Sequence, residues 1–141
     1  MDIRQMYKTN KDKETEGTFV EIGGGVSVKI KRAGARNKAF AFAQSKMLKP
    51  LQRQIRSGTV SPDVMEDINI SLFANHVVTD WKGITEDGKA IPFSKEKFVE
   101  YAKEMPDFFD EIFIAAYEVN NFKDEEEAEL VKKPEASTDT D

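Results

Sequence analysis

The chain contains no cysteine, so disulfides and thiolate metal sites are excluded. It has a single histidine, His76, with no partners at ligand spacing, which reads as a surface or core-edge residue rather than a metal ligand or a base. No apolar run approaches the roughly 20 residues that cross a bilayer. The start, Met1-Asp2-Ile3-Arg4-Gln5, lacks the apolar stretch of a signal peptide. A cytoplasmic chain without membrane association is expected. Phosphate and calcium loops are also missing. Gly23-Gly24-Gly25 has neither Gly-x-Gly-x-x-Gly spacing nor a Gly-Lys-Ser/Thr, and a strand pattern follows it rather than a helix. The Asp87-Gly88 turn lacks the alternating oxygen ligands and closing glutamate of an EF-hand. The acids of the second half have no matching His, Cys or Lys constellation, so neither a catalytic site nor a cofactor is expected. The chain reads as a non-enzyme.

Acids are absent from one long stretch. Residues 29–56 carry nine Lys and Arg and no Asp or Glu, whereas residues 57–141 carry 8 basic and 21 acidic groups. The net charge of -5 conceals this asymmetry. Such a distribution points either to a nucleic-acid face or to self-complementary subunits. Ten phenylalanines, three tyrosines and one tryptophan in 141 residues are enough for one domain core.

The halves of the chain meet at Asp80 to Phe98, DWKGITEDGKAIPFSKEKF. Trp81, Gly83, Asp87, Gly88, Pro92 and Ser94 are its structural anchors. Asp87-Gly88 favours a type I′ turn and predicts a mini-hairpin over 84–91. Ser94 predicts a helix N-cap, with Phe93 and Phe98 placed for a hydrophobic staple.

Residues 1–17 are polar and read as a mobile leader. The β-branched and aromatic runs Thr18–Ile22 and Val26–Ile30, joined by the glycine triplet, predict a hairpin. From about Ala35 to Ile55 the period is helical, with Phe40, Met47, Leu48, Leu51 and Ile55 on one stripe. Pro50 predicts a kink or restart near Lys49, and Ser57-Gly58 an end. Ser61-Pro62-Asp63 opens a largely buried helix that is expected to end at Trp81-Lys82-Gly83. After Ser94, Phe98, Tyr101, Ala102 and Met105 should face inward until Pro106 breaks the run. A last helix starts there, with Phe109, Ile112, Phe113, Ala116 and Val119/Asn120 on one stripe. Residues 123–141 hold eight acids and three lysines, an acidic tail that extends the last helix at most over Glu125–Lys133 and is disordered beyond Pro134. The fold class is mainly α with a β component (α+β): about four helices, a short N-terminal hairpin and the mini-hairpin, in a single domain over 18–122.

From Leu72 to Phe122 the succession Val77-Val78-Thr79-Asp80-Trp81, Lys82-Gly83-Ile84, Asp87-Gly88 and Ile91-Pro92-Phe93-Ser94, then two helices divided at Met105-Pro106-Asp107, resembles the tail assembly chaperones of long-tailed bacteriophages. The resemblance implies a non-enzymatic assembly factor in the host cytoplasm, mainly helical, self-associating and absent from the mature virion. Its implied partners are the tape measure protein, which it would keep soluble, and the tail tube protein, which it would recruit. Phe42, Phe108 and Phe122, beyond core needs, are then the candidate contacts, with Lys38, Lys49 and Arg53 of the basic segment. Two other classes compete with this reading. One is a structural virion protein of tail or neck. The other is a small nucleic-acid-binding protein using the basic segment, although that segment contains no recognisable nucleic-acid module.

Some members of the resembled family have a longer form made by ribosomal frameshifting near the end of the gene. Lys132-Lys133 is the kind of pair that A-rich slippery codons encode. If so, the acidic tail is an extended, self-repelling linker. A slippery heptamer with an overlapping frame is expected within codons 120–141, and a nucleotide sequence without one removes the linker role.

Overall fold

The protein, described here by a computed structural model over residues 2–124, is a mixed α+β fold. Its sheet begins where the sequence alternates. β1 (Thr18–Gly23) and β2 (Val26–Ile30) pair antiparallel, Val20 opposite Val28, and Gly23, Gly24 and Gly25 all turn at positive φ. Val28 and Ile30 are buried, while Phe19 and Glu21 on the other face are exposed.

The next three helical pieces follow the punctuation of the sequence. Asn37 caps α3 (Lys38–Leu48) by accepting from the Phe40 amide at 3.1 Å. Pro50 interrupts the run as expected, giving a 3₁₀ turn at Lys49–Leu51 before α4 (Gln52–Ser57). Gly58 closes α4 in the left-handed conformation, φ 71°. No residue of α4 is buried, and Ile55, expected on the inner stripe, is exposed. Ser61 caps α5 (Pro62–His76), whose Phe73 is fully buried and meets the rings of Phe40, Phe109 and Phe113 at 5.9, 5.3 and 5.3 Å.

The expected continuation of α5 to Trp81-Lys82-Gly83 is overturned. The helix stops at His76, and Val78–Lys82 is a third strand, β3, antiparallel to β2. Val77-Val78-Thr79 favours extended backbone, and pairing with the second edge of β2 satisfies the backbone groups that the two strands turn towards each other. The misleading signal is a bulge. Ile30 faces Val78 and Lys29 faces Asp80, so Thr79 is an extra residue. That insertion puts Val78 and Trp81, three apart, both among the buried residues and so imitates helical spacing.

β4 (Thr85–Glu86) and β5 (Lys89–Ala90) form the mini-hairpin, with Asp87 and Gly88 at φ 51° and 78° as a type I′ turn requires. The Ser94 hydroxyl accepts from the Lys97 amide at 3.0 Å and starts α6 (Lys95–Glu104). Pro106 opens α7 (Pro106–Tyr117), and a 3₁₀ turn, Val119–Phe122, follows. The inward faces are as read except at Met105, which is exposed because it sits at the joint where α6 has already ended, and at Val119/Asn120, which lie past the end of α7 in the 3₁₀ turn and are half-buried.

Of residues 1–17, read as a mobile leader, those described, 2–17, are tied to the body. They form α1 (Ile3–Tyr7) and α2 (Lys11–Glu16). The Asn10 amide donates to the Phe122 carbonyl at 2.7 Å, and Lys13 Nζ to the Lys123 carbonyl at 2.7 Å. Glu14 is buried and pairs with Arg32 at 2.6 Å. Polar composition misleads here because the anchoring is itself polar: a buried carboxylate is tolerable once a guanidinium and the Thr9 hydroxyl reach it. The expectations for residues 125–141 lie outside the described residues.

One contact joins the two halves most tightly. Gly83, at φ 84°, passes so close to the hairpin turn that an added Cβ would lie 2.2 Å from the Gly25 carbonyl oxygen. Gly58 has a similar φ of 71° but nothing within 4 Å. Gly58→Ala should therefore cost about 1–2 kcal/mol, the left-handed backbone alone. Gly83→Ala should cost more than about 3 kcal/mol because the backbones must also separate. Equal shifts of the urea midpoint would remove the close-approach argument.

Candidate interaction surfaces

Two surfaces stand out, and they are opposite in charge. The first is an open groove of about 650 Å³ between the β1–β2 turn, the stretch after β3, and the α6–α7 joint. Its apolar walls include Ile22, Ile84, Met105 and Phe108. Pro106 creates it: Met105 leaves the helical region (φ -128°, ψ 84°), and the restarted α7 presents Phe108 beside the end of α6.

The rim is acidic. Glu86, Glu104, Asp107 and Glu111 line the groove and no Lys, Arg or His does. Glu86 accepts from the Tyr101 hydroxyl at 2.5 Å and lies 3.4 Å from Lys97 Nζ. The Tyr101 hydrogen bond, seconded by Lys97, holds the Glu86 carboxyl below its ordinary range. Desolvation, then Glu86, raises the Tyr101 phenol. Glu104, Asp107 and Glu111 are exposed and form no ion pair among the described residues.

The second surface is basic. Lys38, Phe42, Lys46 and Lys49 recur at intervals of four, four and three residues, which places them on one face of the α3 rod and its end. All four are exposed, Phe42 to 68%, with Lys46 Nζ 5.8 Å from its ring centre. Exposed Arg53 and Arg56 continue the run on α4. Among the described residues none of these cations forms an ion pair.

The structure thus sorts the candidate contacts. Phe42, Lys38, Lys49 and Arg53 fall on the basic surface and Phe108 in the groove. Phe122 does not qualify: it is fully buried, held under the leader by the Asn10 bond to its carbonyl, so its size serves the core. The anchors support the groove from behind. Trp81 is nearly buried, donates from Nε1 to the Ile91 carbonyl at 2.8 Å, and meets the Phe93 and Tyr101 rings at 5.0 and 5.7 Å. Gly83, Asp87 and Gly88 turn the chain, and exposed Pro92 leads into the Ser94 cap. Sequence reasoning missed the groove acids. Their only signal was that Glu104 and Asp107 flank Met105-Pro106.

No helix among the described residues is long and apolar enough to cross a membrane. Nor does any group of three or more His, Cys, Asp or Glu among them sit where it would hold a metal ion. In comparison with known families, residues 35–133 match the model described as YdaY prophage protein. No curated protein and no solved structure matches the chain.

The Glu86 pairing has a pH signature. A carboxyl lowered by folding contributes stability above its unfolded value, about 4.3, and loses that contribution as pH falls through the lower folded value. Tyr101→Phe removes the main cause of the lowering. Its thermal midpoint should trail the parent at pH 7 and converge on it in acid below the carboxylate range. A gap independent of pH would assign the loss to packing instead.

Proposed function

The chain belongs to the YdaY prophage protein family and is of phage origin, and we propose that within phage development it acts as a tail assembly chaperone. In this reading it is a non-enzymatic factor of the host cytoplasm, absent from the finished virion. It shelters an apolar helical stretch of the tape measure protein and brings tail tube subunits to it. The observation that carries the reading is the open apolar groove with its acidic rim. Helix-in-groove recognition lays the apolar face of an amphipathic segment on such a floor and sets its flanking charges against the rim. Basic residues flanking an apolar helical face are the complement. The resemblance over Leu72–Phe122 covers the residues that build most of the groove, Gly83 to Glu111.

The test is co-expression with the tape measure protein of the same phage. The parent chain should raise the soluble yield and co-purify with it. Met105→Glu places a charge on an exposed wall of the groove and should weaken capture by about 10-fold or more, the scale of a lost interface anchor. Capture untouched by this change would defeat the assignment of the groove. Recovery of the chain in purified virions would favour a structural tail or neck role.

A further inference from the structure

The two charged surfaces on this chain complement each other, and among the described residues neither the stripe cations nor Glu104, Asp107 and Glu111 form an ion pair. The basic stripe carries Lys38, Lys46, Lys49, Arg53 and Arg56 around an exposed aromatic, Phe42, and the whole 29–56 segment contains no acid. The groove offers an apolar floor and the exposed Glu104, Asp107 and Glu111. No residue of 29–56 lines it, so the chain does not fill its own groove with its own stripe. α4 has no buried residue, so this helix lies open on the surface, while the groove is concave.

We propose that the α3–α4 arm of one copy docks in the groove of a second copy, with Phe42 on the apolar floor and Lys46, Lys49 and Arg53 against the acidic rim. The contact is heterologous: each docked chain still presents one unused arm or one unused groove. It therefore propagates until it closes into a ring or continues as a filament. Opposite fields of this kind steer encounter and fix register, and they weaken as salt screens exposed charges beyond about 8–10 Å. The docking does not depend on the client. A second consequence does rest on the proposed function. The arm and the client helix would claim the same groove, so the resting assembly caps its own binding sites and the client displaces a neighbour to enter.

Charge exchange tests this with the full chain. One variant carries Lys46→Glu and Arg53→Glu, a second carries Glu104→Lys and Asp107→Lys, and all four positions are exposed. In sedimentation velocity the parent should self-associate and should dissociate at least about 10-fold more readily at ~0.5 M than at ~0.05 M salt. Each variant alone should associate at least 10-fold more weakly than the parent. Mixed together they should recover, since both the native and the exchanged pairings become available. Neutral Lys49→Gln and Glu111→Gln should each produce a smaller loss in the same direction. A parent that is monomeric, variants that sediment like the parent, or a mixture that stays apart each overturn the docking. So does a stripe variant whose only defect is lost binding to duplex DNA, which would make the stripe a nucleic-acid surface. Tape measure capture is read in parallel. Exchange-dependent assembly without capture leaves the docking standing and removes the client, whereas capture without recovered assembly removes the docking alone.

Discussion

Trp81 is held on three sides, and most of the fold is positioned through it. Its backbone pairs with Val28 in the sheet, its indole donates to the Ile91 carbonyl, and its ring faces Tyr101 of α6 and Phe93 before it. Those contacts fix the sheet, the mini-hairpin and α6 relative to one another. Gly83 then brings the chain against Gly25, which is possible only without a side chain at that position. Tyr101 in turn carries the Glu86 bond at the mouth of the groove. The apolar floor therefore depends on a large aromatic residue two positions before a glycine, and the size of one is matched to the absence of a side chain in the other.

Much of this was legible in the sequence because it is local. Ser61 and Ser94 cap where they should, Asp87-Gly88 turns, and Pro50 and Pro106 break helices at the expected places. What was not legible is what forms between distant segments. β3 was hidden because the bulge at Thr79 gives Val78 and Trp81 a helix-like interval. Docking of the leader was hidden because it rests on Glu14 with Arg32 and on Asn10 with Phe122, pairs with no periodic signature. Phe122 looked surplus for the same reason, since the element that covers it lies at the other end of the chain. The groove draws on three separated stretches, and no single one of them announces it.

The charge asymmetry of the sequence acquires a shape in the fold. Most of the basic block becomes the exposed faces of α3 and α4 around Phe42, and part of the acidic half becomes the edge of a concavity. Neither surface needs the other for the domain to fold, because the core is built from Phe40, Phe73, Phe98, Phe109 and Ile112 behind both.

The bonds between the leader and the 3₁₀ turn have a consequence for the order of synthesis. Lys13 and Lys123, joined by one of them, are 110 residues apart. At roughly 5–20 residues per second on the ribosome, the first helices wait roughly 5–20 s for the residues that anchor them. During that interval α2 has only its early partner, Arg32, and the bonds of Asn10 and Lys13 to residues 122–123 are not yet made. The leader becomes part of the folded body only once Phe122 and Lys123 have been made.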